Sequence, residues 1–407
     1  VLPSNWGRQD VNTARIVISI QALRALLYGF GAILLGEVLA AEGLSDALVG
    51  VIFTSMLVGM AIGSFLVGRW VDYIGSRRAY CGLFVVLGIA GAAFALSQWP
   101  PLLIAAALTG TLSTDANESG PITSLEQAML SGVDAQTRPR LFGRYNAVAY
   151  LAGSIGALAA GGPTALRRLF PALPEDQRWL LAYPVIALAC VFLAARLPHD
   201  VERPARKRQT RGLVRSRGRV RRLAGLFAVD AFGGGLVVQS FVVFWFQRRF
   251  GASIELMGLV FFAVGLLQAA SSLAATVVAR RIGLLNTMVF THLPSNVLLG
   301  AVALMPTLPL AIIALLGRSV LSQMDVPARQ AYIAAMVDPE ERIAAAAYTN
   351  SARYAARPIG PVVAGSLMQK VALSAPFLAA GGIKIAYDVV LFFRFRGVAP
   401  DDAKRDG

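Results

Sequence analysis

Apolar runs of about twenty residues recur along almost the whole chain, and the charges between them are crowded into short gaps. A helix of that length, rising about 1.5 Å per residue, crosses the hydrocarbon core of a bilayer. Such runs are read near 16–40, 46–67, 79–97, 101–122, 142–164, 178–197, 223–247, 254–278, 284–304, 307–328, 343–368 and 375–395. Hydrophobic residues fill 56% of the 407 positions and charged residues 15%, too few charges to cover a soluble surface of this size. Twelve spans of roughly 20 residues use about 240 residues. Short loops and one longer linker remain, with no room for a large extramembrane domain. The expected fold class is an all-α membrane protein of twelve transmembrane helices.

The net charge of +15 does not indicate a nucleic-acid partner, because most of the excess lies in short segments between apolar runs, chiefly Arg203 to Arg222. Such clusters mark cytoplasmic loops through the positive-inside bias. The candidate cytoplasmic loops carry Arg69, Arg77 and Arg78; Arg138 and Arg140; the Arg203–Arg222 linker; Arg280 and Arg281; and Arg342. The opposite loops, at Ala41–Asp46, Gln98–Pro101, Phe250–Ser253 and Pro306, are short and poor in Lys and Arg. Arg167 and Arg168 break the pattern in the loop at 165–177. A multi-pass protein of a bacterial inner membrane is expected, with the linker and both termini cytoplasmic. The amphiphilic start runs straight into a full-length span, so no cleavable signal peptide is expected. Cys81 and Cys190 both lie in apolar runs, which makes them small buried thiols rather than a disulfide or metal site.

The chain repeats itself. A shift of 204 residues superposes Val133-Asp134 on Val337-Asp338, Arg138 on Arg342, Asn146 on Asn350, Tyr150 on Tyr354 and Gly156 on Gly360. A shift of 208 matches Ser45, Gly50 and Phe53 to Ser253, Gly258 and Phe261. Two six-helix halves are expected, 1–197 and 223–407, joined by a basic linker at 198–222, with a site between the halves.

The most specific stretch is Gly68-Arg-Trp-Val-Asp72-Tyr-Ile-Gly75-Ser-Arg77-Arg78 after span 2. Gly75 permits a tight turn, Gly63 and Gly68 permit close helix packing, and Asp72 can accept from arginines or helix N-termini. This stretch resembles the loop signature of the major facilitator superfamily, although Tyr73 stands where that family usually has an arginine. The second-half counterpart, Arg280-Arg281-Ile-Gly283, lacks the acid. Further resemblance lies in Arg318…Ser322-Gln323-Met-Asp325-Val-Pro327-Ala-Arg329-Gln330, followed by Asp338-Pro-Glu-Glu-Arg342. The matching first-half region is Asp115-Ala-Asn117-Glu118-Ser-Gly-Pro121…Glu126-Gln127, without the arginine common in span 4 of proton-coupled members. Gly153, Gly156 and Gly161-Gly162-Pro163 match the span 5 antiporter signature only loosely. The resemblance implies two pseudo-symmetric six-helix bundles, monomeric function, secondary transport by alternating access, and a latch at Gly68, Asp72, Gly75, Arg77 and Arg78. It also implies a cavity lined by spans 1, 4, 7 and 10.

Ionisable residues at bilayer depth cost about 2.5–3.5 kcal/mol each, so those that persist face a partner or a cavity. The candidates are Arg24 with Tyr28 on span 1, Asp115 and Glu118 on span 4, Asp230 on span 7, Arg318 on span 10, and Asn350, Arg353 and Arg357 as a stripe on span 11. Ser322 and Asp325 share the stripe of Arg318. Asp115 and Glu118 can alternatively pair with Arg144 in a cytoplasmic gate. Simpler readings apply elsewhere: Glu126, Arg144, Asp325 and Arg329 as boundary or ion-pair residues, Glu37 as a solvated helix end, and Lys384 with Asp388 as a neutralising i, i+4 pair. His292, beside Pro294, reads as a packed neighbour. Pro121, Pro327, Pro358 and Pro361 interrupt helices, and Gly360-Pro361 offers span 11 a hinge.

No nucleotide-binding loop or catalytic constellation is visible, and no metal site or cofactor is expected. Energy must then come from a proton or other ion gradient. The leading expectation is proton-coupled export of a small organic solute, with Asp115, Glu118 or Asp230 carrying the proton. An organic-anion uniporter or symporter is the alternative, because Arg24, Arg318, Arg353 and Arg357 would make the cavity cationic. A non-transporting membrane receptor is the remote third.

Overall fold

The computed structural model describes residues 8–41, 43–116, 120–130, 138–174, 177–198, 213, 216–338 and 340–397. The described residues form helices α1 (Arg8–Ala41), α2 (Asp46–Ile74), α3 (Ser76–Leu96), α4 (Pro100–Leu108), α5 (Pro121–Leu130), α6 (Arg138–Ala159), α7 (Gly162–Leu169) and α8 (Ala182–Ala194). The second half contributes α9 (Arg217–Gly235), α10 (Gln239–Phe250), α11 (Ile254–Ile282), α12 (Leu284–Leu304), α13 (Leu308–Leu321) and α14 (Asp325–Ala335). It ends with α15 (Arg342–Ala356), α16 (Ile359–Lys370) and α17 (Ala375–Phe395). Nine of the described helical stretches are long and apolar enough to cross a membrane by length and composition. The sequence-read spans 4, 5 and 11 complete twelve, and they are the stretches diluted by arginines and polar residues.

Several expected spans are broken. Span 4 is not the continuous helix read over 101–122: it is α4 and α5, and residues 109–116 and 120 between them are not helical. Span 7 is α9 and α10, span 10 is α13 and α14, and span 11 is α15 and α16, which part at Arg357-Pro358. The stripe of Arg318, Ser322 and Asp325 is therefore not one helical face, because α13 ends at Leu321 and α14 starts at Asp325. Arg217 to Arg222, read as the end of the linker, are already the first turns of α9. Most of the remaining linker lies outside the described residues.

The chain forms two compact units, one of residues 1–44, 51–207 and 239–262, the other of 45–50, 208–238 and 263–407. In the first unit α1 lies along α6 and α3 along α8. Small residues allow this approach: a Cβ on Gly156 would collide with the Leu26 carbonyl, and one on Gly29 with the Gly153 carbonyl. In the second unit α12 packs on α17 and α13, and α15 on α9. Its core gathers Val220, Leu223, Phe227, Met288, Tyr332, Met336, Tyr387 and Leu391.

Two glycines at positive φ set the chain path. Gly75, at φ 90°, is the single residue between α2 and α3, as the tight-turn reading requires. Gly110, at φ 67°, opens the unwound stretch of span 4, and its backbone lies directly against that of Gly59 in α2. A Cβ at Gly63 would lie 3.1 Å from the Pro121 ring, but one at Gly68 would meet nothing within 4 Å among the described residues. Gly68 thus does not serve close packing inside its unit, contrary to the expectation. Gly156→Val should force α1 from α6 and lower stability by about 1–3 kcal/mol or more. Gly68→Ala should leave the thermal midpoint in detergent unchanged or slightly raised.

Candidate functional site

Each unit is organised around one buried carboxylate. In the first, Glu126 on α5 is fully buried and faces Arg24 in the middle of α1. The Arg24 guanidinium donates to Glu126 Oε2 at 2.7 Å and Oε1 at 3.4 Å. Tyr80 on α3 donates to Oε1 at 2.7 Å, and Tyr145 on α6 to Oε2 at 2.5 Å. Gln21, one turn before Arg24, accepts from the guanidinium through Oε1. The charges cancel and both carboxylate oxygens are bonded, which is the condition for keeping an ion pair out of water. Glu126, expected as a boundary or ion-pair residue, is the fully buried ion-pair partner of Arg24, with donors from α1, α3 and α6 converging on it.

Arg24 leads on to the unwound part of span 4. Its guanidinium lies 5.1 Å from the centroid of the Tyr28 ring, and Tyr28 donates its hydroxyl to the Thr111 carbonyl at 2.5 Å. Non-helical backbone at membrane depth needs such partners. Thr111, Ser113 and Thr114 are all buried, and Ser113 Oγ donates to the Asp115 carbonyl at 2.7 Å. The Asp115 carboxylate accepts the Gln239 backbone N–H at 2.7 Å. Ser240 donates to the Thr114 carbonyl from both its backbone N–H and its Oγ, each at 3.0 Å. Ala116 N–H in turn donates to Gln239 Oε1 at 3.3 Å. Asp115 thereby caps the N-terminus of α10, where the helix dipole favours a negative charge. Glu118, its expected companion, lies outside the described residues.

In the second unit the hub is Asp230 on α9, 3% exposed. Lys384 on α17 donates to its Oδ1 at 2.5 Å, and Arg353 on α15 to its Oδ2 at 2.9 Å. Arg329 on α14 stands 3.7 Å from Oδ2 and donates to Asp325 at 2.8 Å. His292 on α12 places Nε2 3.7 Å from Asp230 Oδ1 and Nδ1 2.9 Å from Asp388 Oδ1. Asn296, one turn along α12, donates to Asp388 Oδ2 at 2.9 Å. The three carboxylates Asp230, Asp325 and Asp388 balance Arg329, Arg353 and Lys384 when the imidazole is neutral.

This arrangement corrects two simpler readings. Lys384 and Asp388 are four apart on α17 but do not bond each other: Lys384 turns to Asp230, and Asp388 to His292 and Asn296. His292 is not a mere packing neighbour of Pro294, for it bridges two carboxylates. Pairing with distant helices could not be read from spacing along one helix.

The other candidates are more dispersed. Asn350 is exposed, and Arg357 is half-buried just past the end of α15, its carbonyl pressed against Gly235. Arg318 is half-buried in the last turn of α13, and its carbonyl accepts from Ser295 Oγ at 3.2 Å. Asp72 lies in the last turn of α2, with Arg77 half-buried and Arg78 exposed at the start of α3. Glu37, expected to be solvated, has Oε2 buried without a hydrogen-bond partner. Among the described residues, no group of three or more His, Cys, Asp or Glu side chains could hold a metal ion.

Glu126→Gln would leave the Arg24 guanidinium buried without a counter-charge. Such losses cost about 3–5 kcal/mol. The Arg24→Met, Glu126→Gln double variant should recover much of this in chemical unfolding of the detergent-purified protein. Additive destabilisation would show that the pair is not coupled.

Solved structures with the same fold are transporters. Over 95% of this chain and 99% of the other, it superposes on the nucleoside transporter NupG with TM-score 0.75 and 14% identity. The D-xylose–proton symporter gives TM-score 0.68 over 93% of this chain and 97% of that one, at 14% identity. The human organic anion transporter MFSD10 gives 0.64 over 95% and 100%, at 18% identity. In sequence, the chain is 24% identical over 419 residues to an uncharacterized membrane protein of Saccharomyces cerevisiae, covering 94% of this chain and 93% of the relative. The family model of the Major Facilitator Superfamily matches residues 17–322 and 223–407, which together take in almost the whole chain, and the protein belongs to that superfamily of multi-pass membrane transporters.

Proposed function

We propose that this chain is a proton-coupled secondary transporter of a small organic solute, and that the proton is taken up at His292 between Asp230 and Asp388. The observation that carries the reading is the bridge itself: one imidazole contacts two buried carboxylates, 2.9 Å from Asp388 and 3.7 Å from Asp230. Imidazole is the side chain whose charge changes near physiological pH. The network is balanced with His292 neutral, so one added proton leaves one excess positive charge among Lys384, Arg329 and Arg353. That charge changes the competition for Asp230, which is tied to α12, α14, α15 and α17 from its own place on α9. A proton held in one helix arrangement and released in the other would bias the equilibrium between them, which is the thermodynamic content of coupling.

The organic-anion alternative receives less support. It needs guanidinium charge available to the substrate, whereas Arg24 is held by Glu126 and Arg353 by Asp230. Nucleoside, xylose and organic-anion transporters share the fold at no more than 18% identity, which leaves the solute to be found by screening.

The test uses proteoliposomes and a solute first identified by thermal stabilisation of the purified protein. An imposed pH gradient should drive accumulation in the wild type, and the gradient direction that does so assigns import or export. His292→Gln and Asp388→Asn should abolish accumulation yet retain solute exchange at equal pH on both sides. If both variants still accumulate solute with the gradient, the proton site is elsewhere. If the wild type ignores the gradient altogether, proton coupling is wrong.

A further inference from the structure

A second charged feature of the second unit has no place in the network around Asp230. Between the start of α9 and the end of α17 lies a groove of about 350 Å³. Arg219, Arg221, Arg222 and Arg394 line it at one end, with Leu226, Val229 and Val390 further along the same two helices. Arg221, Arg222, Leu226 and Val229 recur at helical spacing on one face of α9, and Val390 and Arg394 are one turn apart on α17. Arg219 donates to the Met336 carbonyl at 3.3 Å. Arg221, Arg222 and Arg394 are exposed, and among the described residues none of their side chains has a hydrogen bond or ion pair. Among the described residues, no carboxylate lines the groove.

The groove combines two chemistries along α9 and α17. Its basic end falls where both helices leave their apolar stretches, and its other end is aliphatic, with Val229 44% and Val390 43% exposed. Guanidinium groups at that level suit a phosphate, and exposed valines beneath them suit an acyl chain. In sequence, the segment before α9 is itself basic, with Arg203, Arg206, Lys207, Arg208, Arg211 and Arg215 against Asp200 and Glu202. We infer that this groove binds an anionic glycerophospholipid, its phosphate on Arg221, Arg222 and Arg394 and an acyl chain along Leu226, Val229 and Val390. The inference is independent of how the transporter is energised.

Native mass spectrometry of the full chain, released from detergent with added dioleoyl phosphatidylglycerol or dioleoyl phosphatidylcholine, tests it. Phosphatidylglycerol should bind at least tenfold more tightly than phosphatidylcholine. Arg221→Gln, Arg222→Gln and Arg394→Gln together should erase that preference, while Arg280→Gln with Arg281→Gln should keep it. Leu226→Trp with Val229→Trp, which fills the aliphatic end and spares the arginines, should weaken phosphatidylglycerol binding as well. Equal binding of the two lipids, or an unchanged preference in the triple variant, overturns the site. Full displacement by millimolar inorganic phosphate overturns the lipid in favour of a free anion. A tenfold gain in lipid binding on Asp401→Asn with Asp402→Asn would mean that the C-terminal acids are the resident counter-ions, which also overturns it.

Discussion

A charge cannot remain alone in hydrocarbon, and the interior of each unit follows from that constraint. Glu126 and Asp230 are acceptor-only groups when ionised, and each must collect donors from helices that the chain brings together from far apart. Arg24 and Glu126 are 102 residues apart, Asp230 and Lys384 154. Satisfying one carboxylate therefore fixes several helices at once: α1, α3 and α6 around Glu126, and α12, α14, α15 and α17 around Asp230. Lipid supplies no hydrophobic force between apolar helices, so small-residue packing and such polar ties carry their association. Gly156 against Leu26 and Gly29 against Gly153 serve the first purpose, and the carboxylate hubs serve the second.

Helix breaks follow the same rule. The unwound backbone between α4 and α5 is tolerable because its carbonyls have assigned donors: Thr111 receives Tyr28, Thr114 receives Ser240, and Asp115 receives Ser113. Tyr28 also lies under Arg24, so the break in span 4 and the Glu126 ion pair share one side chain. A shift of the unwound segment must disturb the guanidinium, and a shift of the guanidinium must disturb the segment. Asp115 extends the chain of contacts to the first turn of α10 through a charge–dipole contact. Discontinuous helices with satisfied ends are the elements from which transporters of this kind build their sites.

Much of this frame is legible in the sequence. Twelve spans follow from the apolar runs, and Gly75 between Ile74 and Ser76 marks a turn that the structure takes at φ 90°. Arg24, Asp230 and Arg353 stand out because charge in an apolar run is rare. Their partners do not stand out for the same reason. Lys384 and Asp388 are spaced to satisfy each other, and only the packing of α17 on α9 and α12 redirects them outward to Asp230, His292 and Asn296. Glu126 sits one turn after Pro121 and near the loop, so its burial depends on α3 and α6 closing over it. The break in span 4 has signals, Gly110 and Gly120-Pro121 around a run of Thr, Ser and Asp, but hydropathy averaged over about twenty residues conceals it.

The two hubs differ in a way that bears on where a proton can act. Around Glu126 the partners are one guanidinium and two phenols, none of which changes charge near neutrality. That cluster is a fixed counter-charge, suited to holding α1 against α5. Around Asp230 the partners include His292, whose second nitrogen faces another carboxylate. The sequence repeat relates the halves, yet the titratable member belongs to one alone. The same asymmetry runs through the loop signature, where Asp72 in the first half has no acidic counterpart beside Arg280 and Arg281. On the proposed reading, a proton at His292 acts on the balance between two helix arrangements through one half alone.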